Sequence, residues 1–175
     1  RRLEVVAHCV VNALFCAARV RAPTPLHVVQ DGPGAPPKSV CLDGDGMGSL
    51  PGLDEVSIWR VLRQALEAGL LLELGQEVAA APGVRVSKLS FEQLVRQRSA
   101  CGPLYYLRPG GADIRGLALA SPACFVLTDH LAMPRKSNRF LERLGAQPVS
   151  VGPRMLFASQ CVAIVNNELD RLGID

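Results

Sequence analysis

Along the start of the chain, Val5, Val6, Cys9, Val10, Ala13, Leu14 and Ala17 recur every three or four positions. That spacing gathers apolar side chains on one face of a helix and predicts a helix over positions 3–18. Positions 26–30 and 39–42 carry short apolar runs that predict strands, and they bracket a turn-rich stretch at 31–37. The glycine-rich stretch at 43–52 predicts a loop. Asp54 then stands where an N-cap is needed, and Ile58, Val61, Leu62, Ala65 and Leu66 share one face of a helix running to about position 68. Positions 79–83 predict an exposed connector. Ser90 and Gln93 form a capping-box pattern, in which each side chain can accept from the other's backbone N–H, so a short helix is expected to about position 98.

From position 104 the alternation is regular: strand 104–107, strand 124–128, helix 137–144 closed by Gly145, strand 148–151, helix 155–171. Strands alternating with helices imply an α/β fold with a parallel sheet covered by helices. In such sheets ligands bind outside the carboxyl ends of the strands. Those ends are Leu107, Thr128 and Val151.

A length of 175 residues supports one substantial core, so a single domain spanning 1–175 is expected. With 49% hydrophobic and 20% charged residues the chain belongs with globular proteins rather than disordered or fibrous ones. A net charge of +3 permits a polyanionic partner without requiring one. Its distribution says more: Arg135, Lys136, Arg139 and Arg143 cluster, Arg154 follows, and Arg19/Arg21 and Arg96/Arg98 form smaller pairs. The six cysteines, Cys9, Cys16, Cys41, Cys101, Cys124 and Cys161, are scattered with no C-x-x-C pair. That pattern suits buried thiols in a reducing cytoplasm, with neither a disulfide framework nor a metal site. No apolar run approaches the roughly 20 residues of a membrane span, and no signal peptide is visible, so a soluble cytoplasmic protein without membrane attachment is expected. The chain begins at Arg1 inside a helical pattern, which suggests that the natural protein starts earlier.

Three segments are distinctive together: Phe125-Val-Leu-Thr-Asp-His-Leu-Ala-Met-Pro-Arg-Lys136 with Leu144-Gly-Ala146, then Ser150-Val-Gly-Pro-Arg-Met-Leu-Phe-Ala-Ser-Gln-Cys161, then Asn167-Glu-Leu-Asp-Arg171. This pattern resembles the TrmY-type family of tRNA pseudouridine-54 N1-methyltransferases, within the SPOUT superfamily. The likeness is strongest over 104–171 and weaker over Arg2-Leu-Glu-Val-Val-Ala-His-Cys-Val-Val-Asn-Ala-Leu-Phe15 and over 40–66. The resemblance implies a SPOUT-type parallel sheet with a C-terminal trefoil knot at about 104–171, a homodimer, and S-adenosylmethionine held by the knot loops. It further implies methyl transfer to N1 of a pseudouridine in tRNA or another structured RNA. Spacing alone would never justify a knot, because knots are rare in proteins.

By position, the resemblance assigns cofactor contacts to Leu107, Thr128, Val151, Gly152, Pro153, Arg154, Met155, Leu156 and Cys161. Loops at strand ends suit this, since adenine needs an apolar slot plus backbone donors and acceptors. Two positions depart from many archaeal members: Thr128 replaces glycine before the Asp-His pair, and Val56 replaces an arginine that follows the counterpart of Asp54-Glu55. The lost arginine removes a potential phosphate contact.

Asp129 and Asp54 are the candidate catalytic bases, although capping a loop or a helix would equally explain either, and His130 beside Asp129 has the same two readings. N1 methylation needs that nitrogen aligned with the methyl group and its proton removed, with most of the acceleration coming from positioning. Gly44-Asp-Gly-Met-Gly48 superficially suggests a phosphate loop but lacks the helix-opening third glycine of the dinucleotide fingerprint, so it is read as a plain loop. Trp59, Tyr105 and Tyr106 could stack on bases, yet such residues are more often core. The alternatives to a pseudouridine methyltransferase are a SPOUT enzyme acting on another RNA nucleobase and a catalytically inactive RNA-binding homologue.

Overall fold

The computed structural model describes residues 3–17, 19–22, 24–32, 35–47, 52–129 and 132–174. The chain forms two compact units, residues 1–94 and 95–175. The first contains α1 (Leu3–Leu14), β1 (Phe15–Cys16), β2 (Arg19–Val20), β3 (Pro25–Gly32), β4 (Ala35–Asp43), α2 (Glu55–Ala68), β5 (Glu77–Ala81) and β6 (Val84–Ser87). The dividing line falls inside α3 (Phe91–Ser99).

In the first unit a four-stranded antiparallel sheet runs β3-β4-β6-β5. Val40 pairs with Val86 and Leu42 with Val84, so the two-residue period of the strands sets all four on one face, where they are buried. α2 packs on that face with Ile58, Leu62 and Ala65 buried, and α1 packs against α2 and β3. Lys38, on the same face, donates through Nζ to the carbonyl of Leu66 in the last turn of α2, at 3.3 Å. A cation is favoured at that end of a helix dipole.

Three expectations shift. The first helix stops at Leu14 rather than near position 18, because the Leu14 carbonyl accepts from the Arg21 amide and the intervening chain turns back as the β1–β2 hairpin. The connector expected at 79–83 belongs to a hairpin: β5 pairs with β6 around Gly83. Alanine is a weak strand former, and here the neighbouring β6 supplies the pairing that local propensity lacks. The glycine-rich loop begins with a tight turn in which Asp43 Oδ1 accepts from Asp45 N and the Asp43 carbonyl accepts from the amides of Gly46 and Met47. Those hydrogen bonds make it a structural turn; Gly48 lies outside the described residues. The Asp54 cap and the Ser90–Gln93 capping box form as expected, the latter with both hydrogen bonds present at 3.2 and 2.9 Å.

The second unit is built on a parallel three-stranded sheet ordered β8-β7-β9, made of β7 (Leu104–Asp113), β8 (Cys124–Val126) and β9 (Gln147–Ser150). It is flanked by α4 (Arg135–Arg143) and α5 (Ala158–Leu172). Tyr105, Ile114, Val149 and Val165 form its buried core, with Tyr105 stacked on Phe125 at 5.0 Å between ring centroids. β7 is longer than expected and interrupted. It pairs with β9 through Leu107, loops out over 108–111, and rejoins at Ala112 and Asp113. At Gly111 the loop passes so close to β9 that a Cβ would sit 2.7 Å from the Val149 backbone, which only glycine avoids. α5 begins at Ala158 rather than near 155, because the Gln160 side chain accepts from the Phe157 amide at 3.0 Å and caps the helix there.

Candidate active site

The sheet's carboxyl edge carries most of the residues assigned to the cofactor. Leu107 and Val151, from the central strand and from the residue just past β9, both pack on the core of Tyr105, Ile114, Val149 and Val165. Leu117, Leu119 and Phe125 join them in the same apolar cluster. Thr128, half-buried, follows β8 and is followed by exposed Asp129. His130 lies outside the described residues.

After β9 the chain turns through Gly152, whose φ of +144° is a conformation that side-chain-bearing residues rarely adopt. Ser150 Oγ ties this turn, accepting from Gly152 N at 3.2 Å and donating to Gly152 O at 3.0 Å. Among the described residues, its two chain neighbours aside, no atom lies within 4 Å of where a Gly152 Cβ would stand, so the backbone is open to close approach. Pro153, Arg154 and Met155 are exposed and Leu156 is half-buried. Cys161 is half-buried in the first turns of α5, and burial pushes its thiol above the usual range. It is therefore protonated near neutral pH, a soft apolar contact rather than a nucleophile.

Asp54 belongs to the other unit. Its carboxylate accepts from Ser57 N at 3.0 Å and from Ser57 Oγ at 2.7 Å, and these hydrogen bonds hold it below the ordinary aspartate range. Val56, where an arginine was expected, is exposed on the first turn of α2. Tyr105 and Tyr106 are core residues, and Trp59 is half-buried. Among the described residues no group of three or more His, Cys, Asp or Glu is placed to hold a metal, and no helix is long and apolar enough to cross a membrane.

The sequence pattern singled out neither Leu117, Leu119 and Phe125 as members of the apolar cluster that includes Leu107 and Val151 nor the pairing of Arg115 with Glu168. Arg115 Nε meets the buried Glu168 Oε1 at 2.9 Å, fastening the turn after β7 to α5. The stretch between Asp113 and Cys124 has no periodicity that would have flagged it.

Residues 1–174 match the family described as "Putative SAM-dependent RNA methyltransferase". A "Putative pseudouridine methyltransferase" of Vibrio cholerae is 34% identical over 167 residues, covering 95% of this chain and 83% of that protein. A protein of the same description from Alcanivorax borkumensis is 37% identical over 171 residues, covering 97% and 86%. The crystal structure of Archaeoglobus fulgidus Nep1 bound to S-adenosylhomocysteine matches with a TM-score of 0.63, covering 97% of this chain and 70% of that one. At 14% identity this is a likeness of fold alone, and it makes the α/β architecture Nep1-like. Matched along almost its whole length, and carrying an apolar, glycine-turned edge on a parallel sheet, the chain belongs to the family of S-adenosylmethionine-dependent RNA methyltransferases.

Proposed function

We propose that the protein methylates N1 of a pseudouridine in a tRNA, with residues 1–175 acting as one methyltransferase domain, as a cytoplasmic homodimer whose segment 104–171 is knotted. One observation carries the reading: Leu107, where the central strand leaves the sheet, and Val151, just past β9, belong to one apolar cluster with Leu117, Leu119 and Phe125, and the open turn at Gly152 follows directly. Bound S-adenosylmethionine supplies an electrophilic methyl group carried on a sulfonium.

Leu107, Val151, Leu156 and Cys161 would form the slot for the adenine, and the backbone at Thr128 and at Val151–Gly152 would supply its hydrogen bonds. Pro153, Arg154 and Met155 complete the loop that covers the cofactor. In pseudouridine N1 is a ring N–H, so the site has to align that nitrogen and take its proton. Alignment does most of the work. Asp129, exposed beside Thr128, is our first choice to receive the proton. Asp54 is the second, and the hydrogen bonds that keep it ionised make it the weaker base. Met155, Phe157 and Leu172 are large apolar side chains exposed on this unit, and a second copy of the chain would cover them.

Mass spectrometry of nucleosides after incubation with S-adenosylmethionine and pseudouridine-containing tRNA tests the proposal. N1-methylpseudouridine is expected, and none with the matching uridine transcript. Methylation of a different nucleoside would transfer the reading to another RNA base. Cofactor and RNA binding without any methyl transfer would favour the inactive homologue.

A further inference from the structure

We infer that the exposed face of α4 is the phosphate-binding surface on which the RNA substrate docks. The inference rests on the RNA methyltransferase reading and adds to it a place on the molecule. Arg135, Lys136, Arg139 and Arg143 are all exposed. At about 100° per residue they fall within a continuous arc of about 100° around the helix, and Arg135, Arg139 and Arg143 form a row one turn, about 6 Å, apart. Phe140 and Leu141, on the remaining side, are buried. Arg96 of α3 extends the patch, its guanidinium lying over the Phe140 ring at 5.8 Å.

A solvated helix face with no partner would be expected to mix charges of both signs. Glu142 is the only acid on α4, and it receives hydrogen bonds from Tyr106 Oη at 3.4 Å and Arg108 Nη1 at 3.5 Å. Like charges four residues apart destabilise a helix, and cations in its first turn oppose the helix dipole. Pro134, at the N-cap, offers no side-chain hydrogen bond to offset this. The arrangement therefore costs helix stability and gains a surface matched to a polyanion.

Position links the row to the chemistry. α4 follows the loop that carries Thr128 and Asp129, and Glu142 ties the far end of the helix to Arg108, the residue after Leu107. An RNA strand along α4 therefore runs beside two of the three strand ends assigned to the cofactor.

The test is binding of a labelled tRNA, by fluorescence anisotropy across a salt series, to the wild type and to a variant carrying Arg135→Gln, Lys136→Gln, Arg139→Gln and Arg143→Gln. With about 0.7–0.9 counterions released per phosphate contact, the variant's slope of log Kd against log salt should fall by about 3, and Kd should rise by about 30-fold or more near 0.1 M salt. Calorimetric affinity for S-adenosylmethionine should stay within about two-fold, because these residues lie outside the cofactor contacts. A variant with Arg135→Lys, Arg139→Lys and Arg143→Lys should keep the wild-type slope. Should the four-site variant fail to fold, Arg139→Gln alone should lower the slope by about 0.7–0.9. A glutamine variant that folds, binds the cofactor and matches the wild type in Kd and slope overturns the surface and leaves RNA methylation standing. A wild type that binds no RNA at any salt sinks both.

Discussion

The antiparallel and parallel sheets divide the labour of the molecule. In the first unit β4 is paired on both sides, and Val40, Leu42, Val84 and Val86 are no more than 2% exposed. In the second unit β8 contributes three residues and β9 four, and loops follow at once. Hairpins return an antiparallel chain locally, so its strand ends are spread over both edges. Parallel strands need crossovers, so all three carboxyl ends and their loops gather along one edge. A continuous paired face suits stability, whereas short strands with gathered ends suit a cofactor.

The sharpest way to break this comparison is to truncate one core residue in each unit. Leu42→Ala and Tyr106→Ala should each destabilise the protein by about 3 kcal/mol in chemical denaturation. Only Tyr106→Ala, which also releases Glu142 from its Tyr106 bond, should weaken S-adenosylmethionine binding in the folded protein by calorimetry. Equal losses of affinity in both variants would dissolve the division.

A smaller and more local effect is expected at Gly152. Valine there is forced into a conformation costing about 1–3 kcal/mol. It also places a side chain where the backbone is open, so cofactor affinity should fall about ten-fold or more while the first unit unfolds as before. Unchanged affinity would remove Gly152 from the site.

The smallest effect belongs to Asp54 and shows in acid. Its hydrogen bonds with Ser57 lower its pKa in the folded state relative to the unfolded chain. The associated stability is present above the ordinary aspartate range and is lost as pH falls through the lowered value. Asp54→Asn keeps an acceptor for the Ser57 amide but does not titrate, so its stability should fall less steeply below about pH 4. Turnover at neutral pH should stay within a few-fold of wild type. A loss on the order of 100-fold would instead identify Asp54 as the proton acceptor.

Reading the sequence succeeded where the deciding interactions are local. The Asp54 cap, the Ser90–Gln93 box and the apolar face of α2 are all set within a few residues, so composition and spacing reveal them. It faltered at β5, where alanines become strand only because β6 lies alongside, and at the start of α5, where the family-like run through Arg154 and Met155 stays a loop because Gln160 caps Phe157. Of the candidate site, the three parallel strands were legible from the alternation, whereas their ends at Asp113, Val126 and Ser150, in place of Leu107, Thr128 and Val151, and the packing of Leu117, Leu119 and Phe125 were not.

By itself the chain's order of residues determined the Asp54 cap, the Ser90–Gln93 box and the apolar face of α2, the parallel α/β alternation of the second half, the cationic row on α4 and the signature of its family. Tertiary structure alone decided that β7 leaves and rejoins the sheet around Gly111, that Glu142 reaches Tyr106 across 36 positions, and that Arg115 reaches Glu168 across 53. Such pairings form only once separate elements have packed, since no interaction between near neighbours in sequence favours one distant partner over another.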